Sequence, residues 1–292
     1  MSLSQRESIV ELPKEKFGPL LRVIPDTPWT TTARQALQNR KASVYVDLPE
    51  NPHSVVVSVR GGDDPGDHDQ AYLQGHCGSE TLRAYVSSVS RTTEFVVDEE
   101  LTPMVLELHP NATPRDAICC WFEDLLAPPE VADRVPVRRL RATDADAAQA
   151  LIPPWAFRTF ETPSDMIRGG GCFATALNGK IASIAYVPDQ SIKYARVAVA
   201  TAEPFRRKGY AFAALRQLIQ HVTNDGRLIC ALVPRRSAPA VHLALKLGFP
   251  KKALLRTYKV TPGADAPAVA DAASSAEDAP ADSSSSSVQT QG

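Results

Sequence analysis

The stretch "VAVATAEPFRRKGYAFAALRQLIQHV", Val197 to Val222, decides the reading of this chain. Before it, in YARVAVAT (Tyr194 to Thr201), Val197, Val199 and Thr201 alternate with Arg196, Ala198 and Ala200, the period-two pattern of a strand with small residues on one face. Pro204 breaks the pattern. From Gly209 the apolar positions Ala211, Ala214, Leu215, Leu218, Ile219 and Val222 follow the spacing of a half-buried helix. Arg206, Arg207, Lys208 and Gly209 therefore fall on a strand-to-helix turn. Four N–H groups of such a helix end lack intrahelical acceptors, and the peptide dipoles favour negative charge there. Three cations at this end oppose a bare helix by about 0.3–1 kcal/mol each, yet they suit a helix end that holds a diphosphate. Glycine at 209 lets an anion approach the backbone.

Downstream, RLICALV (Arg227 to Val233) is a continuous apolar run of the kind buried in a parallel sheet. SAPAVHLALKLGF (Ser237 to Phe249) opens with a serine cap and a first-turn proline and stops at Gly248; KALLRTYKV follows as a last strand. Upstream, CFATAL and IASIAYV flank Asn178-Gly179, a strong hairpin signal.

R-x-x-G-x-A (Arg206, Gly209, Ala211) after a strand and opening a helix resembles the coenzyme A pyrophosphate loop of the GNAT superfamily of N-acetyltransferases, and the later helix ending in K-L-G-F resembles that family's. The resemblance covers Val137 to Val260, and more loosely the whole chain resembles GNAT proteins whose N-terminal half has lost its cofactor loop. It implies an α/β (α+β) fold: a mixed central sheet with splayed parallel strands flanked by helices, preceded by a second, smaller α/β domain. It also implies acetyl-CoA as co-substrate. Main-chain groups of Val199, Ala200 and Thr201 would pair with the pantetheine arm. The N–H groups of Arg206, Arg207, Lys208, Gly209, Tyr210 and Ala211 would hold the pyrophosphate, with Arg207 and Lys208 on phosphate oxygens or merely solvated.

The match fails at one place. Many family members have Asn opening the later helix and a general-acid Tyr seven positions on; here these are Ser237, which can still cap or hydrogen-bond, and Ala244, which cannot donate a proton. Tyr258, Tyr194 and Cys230 are the replacement candidates, each with packing as its rival reading. For a base, Glu203 beside the loop and Glu161 in WAFRTFETPSD are the candidates, with Trp155, Phe157 and Phe160 as pocket walls or core. His242 reads as a structural residue. The implied reaction is direct acetyl transfer to an amine; the alternative is a catalytically weak coenzyme A-binding sensor or scaffold. The acceptor and the oligomeric state are not written in the sequence.

Bulk properties bound the rest. The 292 residues suffice for two domains, 43% of them hydrophobic. Five of the 33 anions and none of the 32 cations lie beyond Val260, leaving a net charge of +4 before it. That is too weak for a nucleic-acid footprint. Cys77, Cys119, Cys120, Cys172 and Cys230 have no C-x-x-C spacing, which suits a reducing compartment and no metal. No signal core or membrane-length apolar run occurs, so a soluble cytoplasmic protein is expected.

The expected domains are 1–134, an N-terminal α/β unit resembling a degenerate GNAT half; 135–261, the acetyltransferase unit; and 262–292, an Ala/Ser/Asp-rich disordered tail. In the first half, Phe17–Ile24, Thr32–Lys41, SETLRAYVSSV and ICCWFEDLL read as helix-like. ASVYVDL, SVVVSVR and EFVV read as strands. Gly61 to His76 reads as a long loop in which His68, Asp69, His76 and Cys77 imitate a metal site without a standard ligand spacing. Gly169-Gly170-Gly171 reads as a turn.

Overall fold

The computed structural model describes residues 9–62, 67–123 and 135–263. The tail beyond Gly263 and most of the proline-rich break between the two halves lie outside them.

In chain order the strands are β1 (Val10–Glu11), β2 (Ala42–Val46), β3 (Val55–Val59), β4 (Asp69–Gln74), β5 (Thr93–Val96), β6 (Thr113–Trp121), β7 (Val137–Arg139), β8 (Cys172–Leu177), β9 (Lys180–Gln190), β10 (Tyr194–Thr201), β11 (Leu228–Pro234) and β12 (Lys251–Val260). The α-helices are α1 (Phe17–Leu20), α2 (Thr31–Gln38), α3 (Glu80–Ser88), α4 (Thr102–Leu108), α5 (Ala145–Gln149), α6 (Pro163–Gly170), α7 (Tyr210–Asn224) and α8 (Ala238–Lys246). All the strands join one sheet in the order β1-β2-β3-β4-β5-β12-β6-β11-β10-β9-β8-β7. Helices cover both faces, and the two halves share the sheet.

The halves repeat one another. Each has a single parallel pair, β4 with β5 and β10 with β11, among antiparallel neighbours. Each also gives its last strand to the other: β6 pairs with β11, and β12 pairs with β5. The exchange has a local twofold at Ile118↔Leu254, because the pair Trp121↔Lys251 on one side matches Thr257↔Arg115 on the other. In the same way Cys230↔Trp121 matches Val96↔Thr257.

Three expectations change here. The ICCWFEDLL helix is instead the end of strand β6, with its last three residues outside the described ones. A short run that is apolar on both faces suits a central strand as well as a helix, and here Cys119 and Cys120 are buried between β11 and β12. The long loop from Gly61 contains strand β4, which pairs with β3 and β5 and buries Ala71, Tyr72 and Leu73. The glycine triplet ends α6, with Gly171 at φ 72° as its C-cap.

Local signals place the other elements as read. Asn178 (φ 50°) and Gly179 (φ 76°) make the hairpin between β8 and β9. Ala213, Ala214, Leu215, Leu218, Ile219 and Val222 bury one face of α7 against Ala185, Val187, Ala195 and Val197 of β9 and β10. Thr162 and Asp165 form a capping box that starts α6.

Candidate active site

The site begins where two strands part. β10 and β11 pair in parallel from Tyr194↔Leu228 to Arg196↔Cys230 and no further. On its other side β10 stays paired with β9 up to Thr201↔Ser183, where the two hydroxyls lie 2.8 Å apart. Val197 to Thr201 therefore presents one open edge of backbone N–H and C=O groups toward β11. Such an edge accepts an extended, amide-bearing ligand as an added strand.

Beyond Thr201 a 3₁₀ turn (Glu203–Phe205) leads to Arg206, and the chain then takes two left-handed residues, Arg207 at φ 61° and Gly209 at φ 85°. Left-handed backbone at a residue other than glycine is uncommon and marks a loop whose shape is over-determined by its surroundings. Gly209 is the N-cap of α7 and gives it no side-chain cap. Ala213 N–H is the first in the helix to find an acceptor outside it, the Gly209 carbonyl, so the N–H groups of Gly209 to Phe212 point outward, as at any uncapped helix start. A Cβ built on Gly209 would meet nothing within 4 Å, so the space in front of the helix end is open. The open edge, the left-handed loop and the uncapped helix end together can hold an extended amide-bearing ligand along β10 with an anionic group at α7.

The three cations divide their roles. Arg206 Nε donates to the Thr201 carbonyl at 3.4 Å, and Lys208 Nζ donates to the Pro204 carbonyl at 3.0 Å while lying 5.9 Å from the Phe205 ring centroid. Both side chains staple the loop. Arg207 is exposed and carries the strained backbone. Tyr210 meets Phe205 edge-on at 6.1 Å, and Ala211 is half-buried. Ser237 is the N-cap of α8 but makes no side-chain cap hydrogen bond.

The acid and base candidates scatter. Glu203 stands exposed on the 3₁₀ turn, next to the loop. Glu161 is exposed and ion-paired with Lys41 of the first half at 2.6 Å. Tyr258 is not brought to the loop: it is buried with Phe95, Ala71 and Tyr85 in the core of the first half, because the exchange carries β12 there. Cys230 is buried, and burial pushes its thiol well above the usual range; Cys119, on the neighbouring β6, is pushed up to about 12, again by burial first. Both are therefore thiols at neutral pH and not nucleophiles. Tyr194 lies buried at the far end of β10, His242 is exposed, and Ala244 is buried in the core under α8. His68 is engaged with Glu94 at 2.8 Å, and the described residues contain no cluster of metal-ligating side chains.

Sequence reasoning missed the polar framework behind the strand parting. Arg196 and Asp189 form a buried ion pair across β10 and β9, and Thr32 of α2 donates to Asp189 at 3.0 Å. The Arg196 guanidinium lies 5.7 Å from the Trp155 ring centroid. Gln35, on the same helix, accepts from Gln190 N–H at 2.6 Å and donates to Thr159 at 2.7 Å. The first half thus holds the end of β9, the strand paired with the one that carries the open edge. The only local signal was an arginine inside a strand of small apolar residues.

The first half has no matching open edge. Aligning buried Ala71 and Phe95 with buried Ala195 and Ile229 ends β4 at the place of Ala198, so Val199 to Thr201 have no counterpart. The turn into α3 is short, and Ser79 closes that helix end by accepting from Leu82 N–H at 3.3 Å.

A splayed parallel pair feeding a glycine-capped helix, set in a mixed sheet with helices on both faces, is the frame of the second half. The GNAT acetyltransferase family model matches residues 23–258, across both halves, and the chain belongs to that family. Among solved structures it is similar to a GCN5-related N-acetyltransferase-like protein from Streptococcus suis 89/1591, with TM-score 0.61 and 15% identity over 84% of this chain and 98% of that one. It is also similar to a tandem GNAT protein from the clavulanic acid biosynthesis pathway, with TM-score 0.58 and 14% identity over 87% and 98%. A GCN5-related N-acetyltransferase from Kribbella flavida gives TM-score 0.54 and 20% identity over 79% and 94%. These identities speak for the fold alone. No curated protein matches the sequence. No described helix is long and apolar enough to cross a membrane.

Proposed function

We propose that the chain is an acetyl-CoA-dependent N-acyltransferase whose single donor site lies in the second half and which transfers the acetyl group directly to an amine. The observation that carries this reading is the continuity of the open β10 edge with the uncapped, glycine-led start of α7. Bound acetyl-CoA supplies an acyl group activated as a thioester. Backbone groups of Val199 to Thr201 orient the arm, and the N–H groups around Gly209 and Tyr210 neutralise diphosphate charge at the positive end of α7. Arg207, with no side-chain partner among the described residues, is the loop cation assigned to a phosphate, since Arg206 and Lys208 hold the loop.

In the transfer an N–C bond forms, the C–S bond breaks, the ammonium gives up a proton and the sulfur takes one. Glu203 is the candidate that stands beside the loop with no ion-pair partner among the described residues, so it takes the role of base. Glu161 is committed to Lys41 and Tyr258 to a distant core. The thiolate is a good enough leaving group to take its proton from solvent.

The buried Ala244, at the position of the family's acid, favours a second reading: a coenzyme A binder that does not turn over. Calorimetry with coenzyme A and a labelled acetyl-CoA screen over an amine panel separate the two. Gly209→Glu sets a carboxylate against the diphosphate and should abolish binding; unchanged affinity would overturn the donor site. Tight binding with no transfer to any amine would leave the binder reading standing alone.

A further inference from the structure

The duplication leaves one place where the two halves differ in what covers the sheet. α7 has 15 residues and lies across β8, β9 and β10. Its counterpart α3 has 9 residues and lies over β2 and β3. It is therefore about 9 Å shorter. Past its last turn a cavity of about 490 Å³ opens against the sheet, within the size range of small-molecule sites.

A cavity left by mere truncation would expose apolar strand residues like those under α7, where Phe173, Ala185 and Val187 pack. The strand positions here are polar instead. On β2, Ser43 and Tyr45 face the cavity while Val44 and Val46 are buried on the other side under α1 and α2; on β3, Ser58 faces it and Val57 and Val59 do not. Five cations line it: Lys14, Arg40, Lys41, Arg60 and Arg91. Among the described residues Asp69 pairs with Arg91 at 3.5 Å and Glu161 with Lys41 at 2.6 Å. Lys14 and Arg40 stand at the rim with no carboxylate partner among the described residues, and Arg40 is held at φ 56° just after α2. The rings of Tyr45 and Tyr85, 5.2 Å apart, form one wall.

We propose that this cavity is a second ligand site, separate from the donor site, that takes an organic phosphate of about mononucleotide size. The cations meet the phosphate, the serines its polar groups, and the tyrosine pair its flat body. This goes beyond the acyl-transfer reading and does not depend on it, because the cavity lies in the half that lacks the open strand edge and the uncapped helix.

The test is calorimetric titration of the full chain with AMP, with adenosine as the uncharged control, in the wild type, in Gly209→Glu and in the exposed double variant Lys14→Gln/Arg40→Gln. The expected result is one AMP site that weakens with added salt, is unchanged in Gly209→Glu and is weakened about ten- to hundredfold in the double variant. Adenosine should bind at least tenfold more weakly than AMP. No AMP binding at millimolar concentration overturns the proposal. So does binding that vanishes in Gly209→Glu, survives in the double variant, or is matched by adenosine.

Discussion

Replacing Asp189 by Asn tests the framework behind the open strand edge. Arg196 is 9% exposed, and Asp189, 1% exposed, is its only carboxylate partner among the described residues. The Asn side chain has the same shape and still accepts from Thr32, so the change removes charge and little else. It leaves a guanidinium buried without a counter-ion, a loss of about 3–5 kcal/mol. At about 2 °C per kcal/mol for a chain of this size, the thermal midpoint should fall by about 6–10 °C. Removing both charges in Asp189→Leu/Arg196→Met should recover most of that loss, because a buried pair exchanged for apolar groups of similar volume is close to neutral. Differential scanning calorimetry of Asp189→Asn, of Asp189→Leu and Arg196→Met singly, and of the double variant reads the cycle. The fall should occur in one transition, since Thr32 belongs to the first half and Asp189 to the second. A loss below about 1 kcal/mol in Asp189→Asn, or a double variant worse than either single one, would refute the reasoning.

Other expectations follow from the same geometry. Burial alone would push the Glu94 carboxyl up, but hydrogen bonds from His68, Thr257 and Gln70 outweigh it and hold the group at about 2. A lowered carboxyl gives stability that is complete above the unfolded value near 4.5 and is lost as pH falls toward 2. Glu94→Gln should therefore flatten the acid limb of urea-denaturation stability by about 3 kcal/mol. Of the five cysteines only Cys77 is exposed. A thiol reagent on the native protein should label Cys77 at once and the other four only on unfolding, as mass spectrometry of the modified peptides reads directly. Ser79→Ala removes the cap of α3 and should cost about 1 kcal/mol in urea denaturation.

The second half was legible because its signals are local. A period-two run, a glycine turn and a period-three-to-four run sit side by side from Tyr194 to Val222, and Asn178-Gly179 announces its own hairpin. The proposed donor site is built from that contiguous backbone, which puts it within reach of the sequence. β6 was misread because a residue run buried on both faces carries no period, and only its neighbours β11 and β12 decide what it becomes. β4 was hidden behind Gly61 and a run of acids, although Ala71, Tyr72 and Leu73 are buried. The exchange of last strands left no trace in either half read alone. The Thr32–Asp189–Arg196 cluster joins residues more than 150 positions apart, and no spacing rule reaches that far. Tyr258 illustrates the consequence: its strand was placed correctly, and its neighbours were not.

The exchanged strands also set a schedule for biosynthesis. Val96 of β5 leaves the ribosome about 160 residues before Thr257, the strand residue that pairs with it. At usual elongation rates this edge waits roughly ten to thirty seconds for its partner. During that interval the nascent first half exposes an unpaired strand edge of the kind that recruits other chains. Holdase chaperones should therefore engage the ribosome-bound N-terminal half and release it only after β12 has emerged.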